Sequence, residues 1–187
     1  MKFLKEALPS REEAINLLVK YGCRPEVITH CIEVSKTAVK LAEALKEKGL
    51  NVNIKLVEVG ALLHDIGRFK THTIHHVVIG AEIARKENLP KEIIRIIERH
   101  AGGGISEKEA EKLGWEKKNY LPETLEEKIV CYADKRVESG RIVGINREIK
   151  KLKKELGENH PSIERLKKLH EEFERLLGDL DAILRDP

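Results

Sequence analysis

The chain contains no glutamine, one methionine and one tryptophan among its 187 residues, and aromatic residues make up only 4%. With so few rings there are few platforms on which bases can stack. The basic run Lys150-Lys151-Leu152-Lys153-Lys154 therefore reads as a solvated helix face, and the composition argues against a nucleic-acid partner. Charge of one sign is also missing. Lys and Arg total 35 against 32 Asp and Glu, a net charge of +3, too balanced to mark a polyanion binder. Cysteine is sparse: Cys23, Cys31 and Cys131 are odd in number and never spaced Cys-x-x-Cys. That argues against a disulfide framework or a structural zinc and fits a reducing cytoplasm. Met1 to Ser10 has no long apolar run, so no signal peptide is expected, and no stretch approaches the length of a membrane span.

What is present is a globular chain. Charged residues make up 36% and hydrophobic residues 41%, enough apolar material for a real core. The length suits one domain, or one domain with an extension. Abundant Lys, Glu and Ile with no Gln resembles a hyperthermophile composition.

Nearly every periodic segment is helical. Ser10 with Glu13, Ser106 with Glu109, and Thr124 with Glu127 have capping-box spacing and predict helix starts. Pro25 opens a long helix with the stripe Val27, Cys31, Val34, Ala38, Leu41 and Leu45, ended by Gly49. Asn53 caps a central helix expected to run to about Ile66, followed by a polar loop over 68–75. Further helices are expected from His76 or Val77 to Asn88, over Lys91–His100, over Ser106–Leu113 and over Thr124–Glu138. Pro161 opens a last helix with Ile163, Leu166, Leu169, Phe173, Leu176, Leu177 and Leu180 on one face. No segment alternates with period two. The expected fold class is all-α.

The segment Ile54 to Leu63 is apolar nearly all round, the pattern of a buried helix, and it runs directly into His64-Asp65. Burying a carboxylate without a partner costs roughly several kcal/mol. Other polar groups share the predicament. His30 flanks the stripe of its helix, His76 lies one turn before Ile79 and Gly80, His100 lies one turn after Ile96 and Ile97, and Asp134 sits between Val130, Cys131 and Val137. Six titratable groups from five helices cannot share a core without satisfying one another. A divalent cation satisfies imidazoles and carboxylates together, and nitrogen and oxygen donors without thiolate suit manganese, iron, zinc, cobalt or nickel.

The order His…His-Asp…His…His…Asp resembles the HD-domain superfamily of metal-dependent phosphohydrolases, from about Val27 to Val137. The doublet stands in Val-Gly-Ala-Leu-Leu-His-Asp-Ile-Gly-Arg, residues 59–68, the family's His-Asp-Ile-Gly variant. His30 matches the first-helix ligand, and Asp134, in Tyr-Ala-Asp-Lys, matches the final aspartate. His76 and His100 match the two extra histidines of members that hold two metals. Gly80 supports His76 over His75, because the family often writes His-x-x-x-Gly there. With the His-Ala-Gly-Gly-Gly stretch at 100–104, the chain is most similar to short archaeal stand-alone HD proteins.

The resemblance implies a single HD helical bundle over 1–187, with its metal-site core at about 27–137 and a helical C-terminal extension at about 139–187. It implies one or two divalent ions (Mn, Fe, Ni, Co, Zn or Mg): His30, His64 and Asp134 on one, His76 and His100 on the other, and Asp65 bridging. His64 and Asp65 are then the catalytic pair. Substrate phosphate falls to Arg68, which stands where the phosphodiesterase branch often has Lys, and to His72, Arg99 and Lys135, with Lys70 and Arg136 also flanking the ligands. The Gly-Tyr-Pro motif of cyclic-di-GMP phosphodiesterases is absent, which argues against that substrate. Gly102 is expected to be a helix cap, and Trp115 a hydrophobic anchor. Residues 139–187 offer no ligand candidate. The C-terminal stripe is left to cover either the core or a second copy in a homo-oligomer.

The expected activity is hydrolysis of a phosphoester or phosphoanhydride bond in a nucleotide or related metabolite. The alternatives are a non-enzymatic nucleotide-binding HD module and a di-iron HD oxygenase.

Overall fold

A computed structural model describes residues 7–185. Ten α-helices occur among the described residues: α1 (Arg11–Lys20), α2 (Pro25–Glu47), α3 (Ile54–Leu63), α4 (His76–Lys86), α5 (Lys91–Glu98), α6 (Glu107–Lys112), α7 (Leu125–Asp134), α8 (Ile145–Leu156), α9 (Pro161–Leu177) and α10 (Leu180–Arg185). The fold is all-α apart from a hairpin of two-residue strands, β1 (Val137–Glu138) and β2 (Arg141–Ile142). All three capping boxes form, at Ser10, Ser106 and Thr124, so each helix start is set by its own sequence. No helix among the described residues is long and apolar enough to cross a membrane.

Helix α3 is the axis. It packs against α1, α2, α5 and α7, and its buried residues are Leu56, Val57, Val59, Gly60, Ala61, Leu62 and Leu63. The all-round apolarity of this segment is thus explained by neighbours on several sides. The C-terminal stripe covers the core of its own chain. Ile163, Leu166, Leu169, Phe173, Leu177, Leu180 and Leu184 join the same apolar cluster as α2, α3 and α7. Each buried side chain of this size contributes about 1.5–3 kcal/mol before ordering entropy.

Three boundaries differ from the sequence expectation by three residues or more, while α4 and α5 each end two residues early. The central helix stops at Leu63, not Ile66; His64 caps it, and a 3-10 turn follows over Ile66–Phe69, taking the first part of the expected loop. Helix α7 stops at Asp134, not Glu138, because Val137 and Glu138 pair with Ile142 and Arg141 across a two-residue turn. Ser139 and Gly140 occupy that turn with φ of 49° and 72°, the left-handed pair that suits a tight hairpin. The last helix breaks at Gly178, so Leu180 belongs to a separate α10.

Candidate metal centre

The six groups come together from different elements. His30 lies on α2, His64 caps α3, Asp65 begins the 3-10 turn, His76 opens α4, His100 follows α5 and Asp134 ends α7. Asp134 Oδ1 lies 2.9 Å from His30 Nε2 and 3.3 Å from His64 Nε2. Asp65 faces two ways. Its Oδ1 is 3.0 Å from His76 Nε2 and 3.4 Å from His100 Nε2, while its Oδ2 is 3.6 Å from His64 Nε2 and 3.9 Å from His30 Nε2. The donor atoms form three overlapping triads, each with its atoms within 4.8 Å of one another: His30/His64/Asp65, His64/His100/Asp134 and Asp65/His76/His100. His64, Asp65, His76 and His100 are buried.

Three rings are held in the same way. His64 Nδ1 donates to Ala61 O at 2.6 Å, His76 Nδ1 to Thr73 O at 2.7 Å and His100 Nδ1 to Ile97 O at 2.8 Å. A carbonyl can only accept, so in the neutral ring the proton sits on Nδ1 and the Nε2 lone pair faces the centre. His76 Nε2 and His100 Nε2 are 3.1 Å apart. Two lone pairs at that distance repel unless a cation or proton lies between them. His64 Nε2 and Asp65 Oδ1 are buried and make no hydrogen bond to any described residue. Inward lone pairs, orphaned buried atoms and outer nitrogens tied to carbonyls are what a divalent ion requires of its donors. The cluster can therefore hold a divalent metal.

The electrostatics agree. Burial alone would raise the Asp65 carboxyl, but His64, His100 and His76 hold it well below the ordinary carboxylate value. Asp134 is likewise raised by burial and then driven well below normal by Lys135, His30 and His64. Burial pushes His100 down to about 4, keeping its ring neutral near pH 7. Both carboxylates are thus ionised and His100 is an uncharged donor, whereas at His64 the lowering by burial is outweighed by Asp65 and Asp134, which raise it.

A cavity of about 390 Å³ opens on this cluster, lined by His30, Asp65 and Asp134. That volume lies within the range of roughly 300–1,000 Å³ usual for small-molecule sites. Arg68, His72 and Lys135, the candidates for holding substrate phosphate, also line it. Arg68 Nε donates to Asp65 Oδ2 at 2.6 Å and its Nη1 to His72 O at 3.2 Å, while Lys135 Nζ donates to Asp134 Oδ2. Both cations are seated on the carboxylates of the cluster.

Other expectations are corrected. Arg99 is not among the described residues lining the cavity; its guanidinium pairs with Glu127 at 2.8 Å and Glu123 at 2.9 Å. Arg136 is fully buried and structural. It donates to Val143 O at 2.7 Å, to Tyr132 Oη at 2.8 Å and to Asp181, tying α7 to the hairpin and to α10. Gly102 does take the left-handed conformation, φ 57°, but the glycine run serves packing. A Cβ on Gly103 would meet Ser162 O at 2.7 Å and Leu166 N at 2.8 Å on α9. Trp115 packs against the small cluster of Val77, Ala101, Ile105, Ala110 and Tyr120, as an anchor should.

Sequence reasoning missed the far lining of the cavity. Ser139 of the hairpin turn and Arg147, Glu148 and Lys151 of α8 all contribute. An exposed basic helix carries no signal of what it faces, so nothing in the local pattern separates these residues from ordinary surface charge.

Comparison with known proteins fits this geometry. A family model, HD domain, matches residues 27–137. An uncharacterised protein of Methanocaldococcus jannaschii is 48% identical over 166 residues, covering 89% of this chain and 98% of that protein. A tRNA (cytidine(56)-2'-O)-methyltransferase of Picrophilus torridus is 40% identical over 184 residues; 98% of this chain aligns, but it spans only 52% of that relative's length. Among solved structures, the HD domain of the L. monocytogenes phosphodiesterase PgpH, in complex with cyclic-di-AMP, superimposes with a TM-score of 0.57. It shares 20% identity and covers 94% of this chain and 98% of that one, a likeness of fold. With the ligand order, the helical frame and the family match in agreement, this chain belongs to the HD domain family.

Proposed function

We propose that the chain is a metal-dependent phosphohydrolase that cleaves a phosphoester or phosphoanhydride bond in a nucleotide or related phosphorylated metabolite. The observation that carries this reading is the buried convergence of four imidazole Nε2 atoms on Asp65 and Asp134 beneath a cavity that Arg68 and Lys135 also line.

His30, His64 and Asp134 would hold one ion and His76 and His100 a second, with Asp65 between them, one carboxylate oxygen facing each group. A divalent ion bound there acidifies water toward neutral pH and offsets charge developing on phosphate. The chain's own residues do the rest. The carbonyls of Ala61, Thr73 and Ile97 fix the rings that aim inward. Arg68 orients Asp65, and Lys135 orients Asp134. The outer edges of these two cations and His72 are left to receive phosphate oxygens. The cyclic-di-AMP in the PgpH domain and the RNA-modifying relative both support a substrate of nucleotide type.

The test is elemental analysis of the purified protein together with a screen of phosphorylated nucleotides under manganese, nickel, cobalt and iron(II). Bound transition metal and hydrolysis without oxygen uptake are expected. His64→Ala and Asp65→Ala should abolish turnover and most metal binding while the helical circular dichroism remains. His76→Ala and His100→Ala should each lower the metal content without emptying the site. Full turnover in either of the first two variants would sink the assignment, and oxygen-dependent turnover would replace hydrolysis with oxygenase chemistry.

A further inference from the structure

We infer that Ser162 and Arg165 of α9 are positioning residues for the candidate metal centre: they clamp the glycine loop that follows His100 and so set the ion position that His100 shares with His76. This rests on the metal-dependent reading above and extends it to a helix outside residues 27–137, the span matched by the family model.

His100 differs from the other members of the cluster in how its backbone is held. His30, His76 and Asp134 lie within helices, His64 caps α3, and Asp65 caps the 3-10 turn. Helix α5 ends at Glu98, and its last turn closes with Arg99 N donating to Ile96 O at 3.3 Å. His100 therefore stands beyond the helical ladder. The bond from its Nδ1 to Ile97 O turns the imidazole inward. The place of the residue itself depends on the chain that follows it.

That chain, Ala101-Gly102-Gly103-Gly104, is gripped by two helices. From α9, Ser162 Oγ accepts from Gly103 N at 3.0 Å, and Arg165 Nη2 donates to Gly104 O at 2.7 Å. From α7, Cys131 Sγ donates to Gly102 O at 3.5 Å, one turn before Asp134. Arg165 is anchored in turn by Glu109 at 2.9 Å, the carboxylate of the α6 capping box. The fit leaves no room for a side chain, because a Cβ on Gly102 would collide with Ser162 Oγ. Ser162 is only 4% exposed. Without its hydroxyl the buried Gly103 N–H has no acceptor in place, and the loop must move to reach water. That movement reaches His100 Nε2, which lies 3.1 Å from His76 Nε2 and 3.4 Å from Asp65 Oδ1. Losing the supports behind a metal ligand commonly weakens binding about 10–100-fold.

Calorimetric titration of EDTA-treated protein with manganese tests the inference. Ser162→Ala and Arg165→Ala should each weaken, by about tenfold, the equivalent that His76→Ala loses, and leave the remaining affinity within about twofold of wild type. Adding Ser162→Ala to His76→Ala should change nothing further, because effects routed through one position do not add. Leu169→Ala opens a cavity in the core two turns along the same helix. It should lower Tm and leave the manganese affinities unchanged, which separates positioning from a general loss of stability. Hydrogen exchange of the metal-free protein is the second readout. Amides of residues 101–104 should exchange at least about tenfold faster in Ser162→Ala than in Leu169→Ala. Unchanged manganese affinities in Ser162→Ala and Arg165→Ala, equal weakening of every equivalent, or full additivity with His76→Ala overturns the inference, as does a His76→Ala protein that loses no equivalent. If wild type takes up no manganese, the metal-dependent reading falls by itself, and the exchange of 101–104 still decides whether α9 holds the His100 loop.

Discussion

Adding one methyl group at Gly67 tests how the candidate metal centre is assembled. This is the glycine of the His-Asp-Ile-Gly segment, and its role is steric. A Cβ at Gly67 would lie 2.0 Å from His76 O, 2.7 Å from Gly80 N and 2.9 Å from His76 C, all backbone atoms of α4. A carbon and a carbonyl oxygen settle no closer than about 3.3 Å, so in Gly67→Ala the 3-10 turn and α4 must separate by about 1 Å. No rotamer change relieves a clash with main chain. The turn carries Asp65 and the first residue of α4 is His76, so the displacement falls on the 3.0 Å contact between Asp65 Oδ1 and His76 Nε2. Overpacking of this kind costs about 1–3 kcal/mol, a fall in Tm of roughly 2–12 °C for a chain of this size. Misplacing a reacting group by about 1 Å costs on the order of 100-fold in rate. Thermal unfolding followed by circular dichroism, and kcat/KM on bis(p-nitrophenyl) phosphate with manganese, read the two effects separately. Gly144→Ala is the control: a Cβ there meets nothing within 4 Å, and it should lose less than about 1 kcal/mol. A Gly67→Ala protein with wild-type Tm and activity within about twofold would refute the steric account.

Arg136→Ala should act on stability rather than on substrate binding. It removes the donor to Val143 O and Tyr132 Oη, at a cost of about 1–3 kcal/mol, while the half-exposed Asp181 carboxylate is left to water; thermal unfolding measures it, and a variant with unchanged Tm but raised KM would return Arg136 to the substrate. Alkaline stability should depend on Cys131, whose thiol burial pushes up to about 12 from 9.0. The raised value means that the thiol's contribution is complete below pH 9 and is lost as pH rises toward about 12, at about 1.4 kcal/mol per pH unit. Cys131→Ala should flatten the fall of Tm over that window, and an unchanged slope would show that another group governs it.

The His/Asp cluster was legible because each of its members breaks a rule of its neighbourhood. An imidazole or carboxylate at the inward position of an apolar helix is conspicuous, and His64-Asp65 after a helix with no polar face is the clearest case. The three capping boxes were legible for a similar reason, since Ser10, Ser106 and Thr124 satisfy backbone donors with side chains three residues on. Misreadings arose where proximity in sequence stood in for proximity in space. Arg99 and Arg136 adjoin His100 and Asp134, yet their side chains leave in other directions, toward Glu127 and toward Asp181. The helix end at Leu63 was missed because Ile66 continues the apolar rhythm, while contact between Gly67 and α4 depends on the folded chain. Arg147 and Lys151 were invisible for the opposite reason, being ordinary charges on an ordinary solvated helix until the fold sets them over the cavity.

Three of the four rings lean on a peptide oxygen only three positions back in their own segment. Their orientation is therefore inherited locally and survives when one helix slides against another. What sliding alters is the spacing between rings, governed by close approaches such as Gly60 under Ile96 and Gly67 against Gly80. For an ion held there, preference for one radius over another would be a property of interhelical seams, open to tuning by a single methyl group that touches no donor atom.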